Sequence, residues 1–269
     1  METLSEHYMD NVAWFNDTLG VGRSSDMVSR DYVIGGRRAR IWVVDGYGKD
    51  GTLERMGAFW LRVAAEEVRD LTEMQAFIDR FVTFSESNVS FDVDDIVTSV
   101  LLGKTLLLVE GVRGAALIDC KEYPARSVGE PPDGKVLRGS HDGFVEAVVP
   151  NMALLRRRIR DPQLTMEGHK VGSRSRTDAV LCYLEDRVDR ELLEEVRRKL
   201  KAVDVKSLTM AQESLAEAIR PKQWYNPFPK VRYTERPDTA AASILEGSIV
   251  VLVDNSPSVM ILPTTFFDF

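Results

Sequence analysis

The first half of the chain alternates short apolar runs with amphipathic stretches, a pattern typical of an α/β domain. Gly35 and Gly36 separate two strand-like runs, and because glycine adopts positive φ at no steric cost, the pair predicts a tight hairpin. Asp92 is a predicted N-cap for a helix that ends at Gly103. The predicted elements, in chain order, are a helix over 4–19, strands over 27–34 and 39–44, helices over 49–68, 73–82 and 92–102, and strands over 105–109 and 115–120.

The second half of the chain repeats this pattern of elements. A helix is predicted over 144–159, a strand over 178–184 and a buried strand over 249–253. Between them lies another helix, because apolar residues recur on one face at helical spacing. These residues are Leu192, Val196, Leu200 and Val203.

One helix of the second half begins within a distinctive run of five residues. Thr234 is predicted to be its N-cap, and the first turn then holds Glu235, Pro237 and Asp238. Acidic groups and proline are favoured there, because the first amides of a helix have no internal partners. Gly247 is predicted to end this helix.

The two halves align with each other without gaps over a long stretch when they are offset by 140 residues. Asn11 then falls on Asn151. Toward the end of each half the offset becomes 144 residues, so that Gly103 falls on Gly247. At the periodic positions, apolar residues of the first half align with apolar residues of the second, which indicates an internal duplication.

The duplication predicts an α/β fold with two similar tandem subdomains, each a small mixed sheet flanked by helices. We place the first subdomain at 1–125 and the second at 126–269. The joint is predicted over 123–138, where prolines and a glycine interrupt the periodic pattern.

Charge is divided unevenly between the halves. Residues 1–125 hold 13 basic and 21 acidic side chains, while residues 126–269 hold 22 and 21. The acidic first half argues against nucleic acid as its partner, since phosphate neutralisation needs a basic face.

No uncharged apolar run reaches the roughly 18 residues of a membrane helix. The start has no secretory pattern, so we expect a reducing compartment in which Cys120 and Cys182 stay unpaired.

The second half contains a run of basic residues formed by Arg156, Arg157, Arg158 and Arg160. This run is a candidate interaction surface for anionic lipid headgroups or for an acidic neighbouring subunit. The alternative is a solvated helix face, in which the arginines cover the outside of a helix that Leu154, Leu155 and Ile159 already bury.

Catalytic and metal-binding patterns are not found in the sequence. Ser140, His141 and Asp142 include the residue types of a hydrolase triad, but consecutive side chains do not converge in the required geometry. His7 and His169 lie in segments separate from His141 and from any second ligand at metal-binding spacing. We therefore expect no enzyme activity, no cofactor and no metal.

Several motifs of the second half occur together in one known family. They are Arg138-Gly139, Asp142 to Glu146, Asn151 with Arg156 to Ile159, Pro227-Phe228-Pro229, Thr234 to Asp238, and Glu246-Gly247. The set covers most of residues 122–269 and resembles the GerA family, the A-type subunits of bacterial spore germinant receptors and their relatives. In the first half, Gly20-Val21-Gly22 with Ser24 and Asp26 is more similar to a sporulation-protein branch of that family than to the receptor subunits proper.

The resemblance implies a protein of the spore inner membrane, with this region on the cytoplasmic, core-facing side. A membrane domain is expected to follow. Members of the family are thought to form oligomers with an ion-conducting path, so the implied partners are other subunits of a germination complex and further copies of the chain. The implied role is oligomer assembly and signal coupling; the alternative is a small-molecule sensor with a germinant cleft between the two subdomains.

Two interpretations of the Thr234 to Asp238 run stay open at this point. In the first, Thr234, Glu235, Arg236, Pro237 and Asp238 form a contact that couples this region to a neighbour or to the membrane domain. In the second, the run is a local helix start at which Arg236 pairs with Glu235 or Asp238, and such a start needs no further role.

Overall fold

The computed structural model of the chain describes residues 2–47, 51–83, 86–120, 142–172, 176–202 and 231–263. The chain divides into two compact units, Met1–Pro124 and Ala125–Phe269. The predicted joint over 123–138 lies outside the described residues.

The first unit contains five strands and five helices within its described residues. In chain order they are α1 (Tyr8–Thr18), β1 (Met27–Ile34), β2 (Arg37–Val44), α2 (Thr52–Trp60), α3 (Ala65–Val68), α4 (Met74–Phe81), β3 (Ser87–Ser90), α5 (Val93–Leu101), β4 (Thr105–Val109) and β5 (Ala115–Ile118).

The sheet of the first unit has the order β1-β2-β4-β5-β3. Ile41 and Leu107 belong to a core on one face, where α2 and α4 pack. On the opposite face, the ring of Trp42 lies 5.8 Å from that of Phe15 in α1. Because helices cover both faces, β4 is buried along its whole length, and its sequence is a continuous apolar run.

The described elements of the second unit follow the order of the first, except that one described helix takes the place of α2, α3 and α4. They are α6 (Val148–Arg158), β6 (Leu164–Val171), β7 (Thr177–Leu184), α7 (Arg190–Ala202), β8 (Arg232–Thr234), α8 (Pro237–Leu245), β9 (Ile249–Val253) and β10 (Val259–Leu262). The sheet order, β6-β7-β9-β10-β8, is the order of the first unit. One face packs against α7 and the other against α6 and α8. The prediction of two similar tandem α/β subdomains is confirmed.

The prediction of mixed sheets is wrong, because every strand pairing in both described sheets is antiparallel. Helices cover both faces, which is the usual setting of a parallel sheet. Neighbouring strands nevertheless run in opposite directions. In the first unit, for example, the two residues Gly35 and Gly36 join β1 to β2 as a hairpin.

The predicted helix over 49–68 is also wrong as a single element. The structure has α2 and α3, separated by residues 61–64. Glu67 Oε1 accepts a hydrogen bond from Ala64 N at 3.0 Å, and this contact starts α3. The break lets Val68 pack closely against the hairpin at Gly35. A Cβ atom added to Gly35 would lie only 2.3 Å from Val68 Cγ2, so a side chain at this position would clash.

The predicted start of α5 and the predicted C-terminal ends of α5 and α8 are confirmed. Asp92 caps α5, since Asp92 Oδ1 accepts hydrogen bonds from Asp94 N at 2.8 Å and Asp95 N at 3.1 Å. Gly103 and Gly247 follow the two helices with φ values of 97° and 99°. Glycine is required there because other residues adopt this left-handed conformation only with strain.

A buried asparagine holds the segment that precedes the first helix of each unit. In the first unit, Asn11 Oδ1 accepts from Ser5 N and Asn11 Nδ2 donates to Ser5 O, both at 2.8 Å. In the second unit, Asn151 forms the same pair of bonds with Val145, at 2.8 and 2.6 Å. The two asparagines are 6% and 1% exposed. We call these bonds the amide clamps.

Each clamped segment also bonds to the residues just before the later helix of its unit. Leu4 N donates to Phe91 O at 3.1 Å, and Phe144 N donates to Glu235 O at 2.9 Å. The clamp therefore connects the first helix of each unit to the start of α5 or α8, and it does so at positions that the internal duplication relates.

We expect Asn151→Ala to lower the free energy of unfolding by about 1–3 kcal/mol, because Val145 N and O lose their partners at a partly buried position. Urea unfolding of the chain measures the loss. Asn88→Ala is the control, since Asn88 is exposed and its side-chain oxygen accepts a hydrogen bond from Lys104 Nζ at the surface. Its effect should stay within about 0.5 kcal/mol. Equal losses in the two variants would contradict the role of the clamp.

Candidate functional site

Arg156 does not belong to an exposed surface, contrary to the prediction. Its side chain is 1% exposed. Arg156 Nη1 donates to Asp161 O at 2.9 Å and Nη2 donates to Leu164 O at 2.8 Å. The guanidinium thus satisfies carbonyl groups of the connection between α6 and β6, because a buried arginine needs partners for its N–H groups.

The neighbouring arginines of α6 differ from Arg156 and from each other. Arg157 is exposed. Arg158 is half-buried and donates from Nη2 to Asp142 Oδ2 at 3.0 Å, and from Nη1 to Leu154 O at 3.1 Å. Arg160, which follows α6, is exposed like Arg157. The predicted basic surface is therefore divided into one buried guanidinium, two exposed side chains and one that is paired with a carboxylate.

Thr234 is not the N-cap of α8, and this prediction is wrong. Thr234 ends β8, and the helix begins at Pro237 with Arg236 as its N-cap. Thr234 Oγ1 instead accepts a hydrogen bond from Arg236 N at 3.1 Å. Pro237 at the first helical position matches the prediction for the first turn, but its ring is buried and is not available to a partner.

Arg236 pairs with Asp238 through two hydrogen bonds, Nε to Oδ1 at 3.1 Å and Nη2 to Oδ2 at 2.5 Å. Asp238 Oδ1 also accepts from Thr239 N at 2.8 Å. Glu235 contributes its backbone carbonyl to the clamped segment. The local interpretation of this run, in which Arg236 pairs with Asp238, describes the geometry.

α6 and α8 share one core, which brings the end of the arginine run near the Thr234 to Asp238 run. The hydrogen bond from Arg236 lowers the pKa of Asp238, and the charge of Arg158 lowers it further. Arg158 also binds Asp142. We call these four residues, Asp142, Arg158, Arg236 and Asp238, the charged cluster.

The two acids of the charged cluster face solvent and the two arginines lie beneath them. The side chains of Asp142 and Asp238 are 48% and 41% exposed, while those of Arg158 and Arg236 are 18% and 17% exposed. The sequence does not show this convergence, because α6 and α8 are far apart along the chain. The only signal for Asp142 is its place in the family motif.

A second group of charged residues lies between β6, β7 and α7. Arg197 Nη2 donates to Glu167 Oε2 at 2.5 Å and to the hydroxyl of Tyr183 at 2.9 Å. Burial opposes the ionisation of Glu167, but the hydrogen bonds and charge of Arg197 outweigh it and lower the pKa of Glu167. Burial also lowers the pKa of His169, whose Nε2 lies 2.9 Å from Glu167 Oε1. Arg197 thus connects α7 to β6 through Glu167 and to β7 through Tyr183.

Within the described part of the chain, no group of three or more histidine, cysteine or acidic side chains is arranged to hold a metal ion. None of the described helices is long and apolar enough to cross a membrane. Ser140 and His141 lie outside the described residues, so the geometry of the Ser140 to Asp142 run is not tested.

Residues 14–269 match the profile of a family described as "Bacillus/Clostridium GerA spore germination protein". The chain belongs to the GerA family. This confirms the resemblance inferred from the motifs of the second half.

The relatives include stage V sporulation protein AF of Bacillus subtilis (strain 168), which is 39% identical over 96% of this chain and 52% of its own length. The spore germination protein GerLA of Bacillus cereus is 29% identical over 92% of this chain and 50% of its own length. The chain thus spans about half the length of the curated relatives it matches. The identity with stage V sporulation protein AF agrees with the branch predicted from the first half.

A crystal structure of a related domain has the same fold. It is the N-terminal domain of the A subunit of the Bacillus megaterium spore germinant receptor GerK3, with a TM-score of 0.74 and 26% identity. The match covers 99% of this chain and 98% of that one. The chain therefore corresponds to the N-terminal domain of a GerA-family subunit.

We expect Arg236→Gln to raise the pKa of Asp238 more than Arg158→Gln does, because the Arg236 hydrogen bond is the larger cause of its lowered pKa. Carbon NMR of the Asp238 carboxyl group during a pH titration measures both shifts. Arg190→Gln is the control, since Arg190 pairs with Glu185 beside α7. No change with Arg158→Gln would show that the two runs do not meet as described.

Proposed function

We propose that this domain acts without catalysis in the assembly and signal coupling of a spore germination complex. In this proposal the domain lies on the cytoplasmic side of the spore inner membrane, its partners are other subunits and further copies of the protein, and the complex conducts ions. Family membership and the match to an A-subunit N-terminal domain support the proposal.

The charged cluster is the observation that carries the proposal. Its two arginines are held by Asp142 and Asp238, so the surface presents carboxylate oxygens rather than free guanidinium groups. A surface of this kind fits basic or hydrogen-bond-donating groups of a protein partner better than anionic lipid headgroups.

The cluster is also suited to reversible contacts. Ion pairs near the surface contribute only about 0–1 kcal/mol, so exchanging an internal partner for one on a neighbouring subunit costs little. Arg158 is the last residue of α6, and Arg236 is the N-cap of α8. The amide clamp of the second unit joins the same two helices. A change of partner at the cluster therefore reaches the core of the unit directly.

The test is an Asp142→Asn, Asp238→Asn double variant of the full-length protein in spores. We expect co-purification with other germination subunits and the rate of germination both to fall several-fold, because the carboxylates that face the partner lose their charge. The thermal midpoint of the 269-residue chain carrying the same changes shows whether it still folds.

Asp178→Asn is the matched control. Asp178 also pairs with a basic residue, Lys170, and its side chain is 47% exposed, but it lies on β7. We expect it to leave assembly and germination unchanged. A folded double variant with normal assembly and normal germination would remove the charged cluster from the proposal.

A further inference from the structure

The imidazole of His169 lies between the edge strand β6 and α7 in the second unit. Its side chain is 12% exposed, and Nε2 lies 2.9 Å from Glu167 Oε1. Within the described part of the chain, Nε2 nevertheless has no hydrogen-bond partner of suitable geometry. An imidazole in such a place changes its surroundings when it gains a proton, because the new charge is largely shielded from water.

An apolar row and one arginine attach α7 to the sheet. The buried residues of the row are Leu193, Val196 and Leu200. Arg197 Nε donates to Glu167 Oε1 at 3.1 Å and to Oε2 at 2.9 Å. The hydroxyl of Tyr183 donates to Glu167 Oε2 at 3.1 Å. Both carboxylate oxygens of Glu167 are therefore already engaged when α7 is attached.

The strands beside His169 bring one carboxylate and one phenol to its face of the sheet. Glu167 lies two residues earlier on β6, so the two side chains point to the same face. The residue opposite His169 on β7 is Ala179, which has no charge. The phenol is that of Tyr183, and because burial raises its pKa, it stays neutral at physiological pH.

The helix α7 brings two cations to the same place. Lys201 follows Arg197 by four residues and therefore lies one turn further along the same side of α7. Burial lowers the pKa of His169; Glu167 opposes this, but the charges of Lys201 and Arg197 lower the pKa further. The other acid that binds Arg197 is Glu194, which is 70% exposed. The neutral imidazole is therefore the form that fits between β6 and α7.

We propose that His169 makes the attachment of α7 to the sheet sensitive to pH. A proton on the imidazole places a third positive charge beside Arg197 and Lys201, next to a carboxylate that is already engaged. The end of α7 is then released from β6, because release returns the charged imidazole to water. The inference does not rest on the assembly role proposed above, since α7 and the charged cluster belong to opposite faces of the sheet.

The direction of the effect follows from the number of protons that each state binds. In the released state His169 has its ordinary pKa of about 6.5, and in the attached state its pKa is lower. Attachment therefore has its full strength above about pH 6.5 and weakens as the pH falls through that value toward the lowered pKa. Glu167 keeps its charge in this window, since burial raises its pKa less than the bonds and charge of Arg197 lower it.

Hydrogen exchange of the 269-residue chain measures the release. The amide of Leu200 reports on the last turn of α7, and the amide of Leu155 in α6 is the reference on the other face of the sheet. From about pH 7.5 to about pH 5.5, the protection of Leu200 relative to an unprotected peptide should fall at least about threefold, while that of Leu155 stays within about twofold. An NMR titration of the His169 ring should give a pKa below about 6.5.

Three variants assign the response to His169. His169→Gln removes the titrating group, so the protection of Leu200 should no longer depend on pH in this window. Lys201→Gln removes one of the two cations, so the pKa of His169 should rise and the loss of protection should shrink. His7→Gln is the matched control, because His7 is an exposed histidine of the first unit, and it should leave the loss unchanged.

Three results would overturn the inference. A pKa of His169 at or above its ordinary value would show that Glu167 governs its protonation. Unchanged protection of Leu200 at about pH 5.5 would show that α7 stays attached when the imidazole is charged. A loss that persists in His169→Gln would assign the response to another group. Circular dichroism checks the fold of each variant, and Lys201→Gln, a change at an exposed residue, keeps the test available if His169→Gln does not fold.

Discussion

A single buried amide side chain organises the start of each unit. Asn11 and Asn151 each supply one donor and one acceptor to a peptide segment that lies outside the five-stranded sheet of its unit. Backbone groups at partly buried positions need partners, and the asparagine provides both within one side chain. The first helix, the clamped segment and the start of α5 or α8 consequently have fixed relative positions within their unit, and the sheet packs against them.

The same framework supports different surfaces in the two units. In the first, Asp92 caps α5 in the ordinary way. At the equivalent position in the second, Arg236 replaces the cap and binds Asp238, whose carboxylate also lies within reach of the charge of Arg158. The duplication conserves the backbone bonds, while the side chains around them differ between the two units.

Much of this fold could be predicted from sequence, because apolar periodicity and glycine positions report backbone geometry directly. The hairpin at Gly35 and the helix ends at Gly103 and Gly247 are examples. The edge strands β3 and β8 could not be predicted, since they are short and partly polar. Strand direction was also missed, because both faces of each sheet are covered and the runs resemble those of parallel strands.

The candidate site was harder to predict than the fold. Arg156 has the charge of a surface residue, and only the path of the α6–β6 connection shows that it is buried. Arg158 and Asp238 approach each other through tertiary packing that no local spacing encodes. The family motif identified the right segments, but it did not distinguish residues that hold the unit together from those that face outward.

Hydrogen exchange at two backbone amides tests whether the same kind of amide clamp organises both units. Ser5 N and Val145 N donate to the side chains of Asn11 and Asn151 and to no strand. The account predicts that both amides exchange at least about a hundredfold more slowly than unprotected peptides, with similar protection in the two units. Exchange of either amide at the unprotected rate would contradict it.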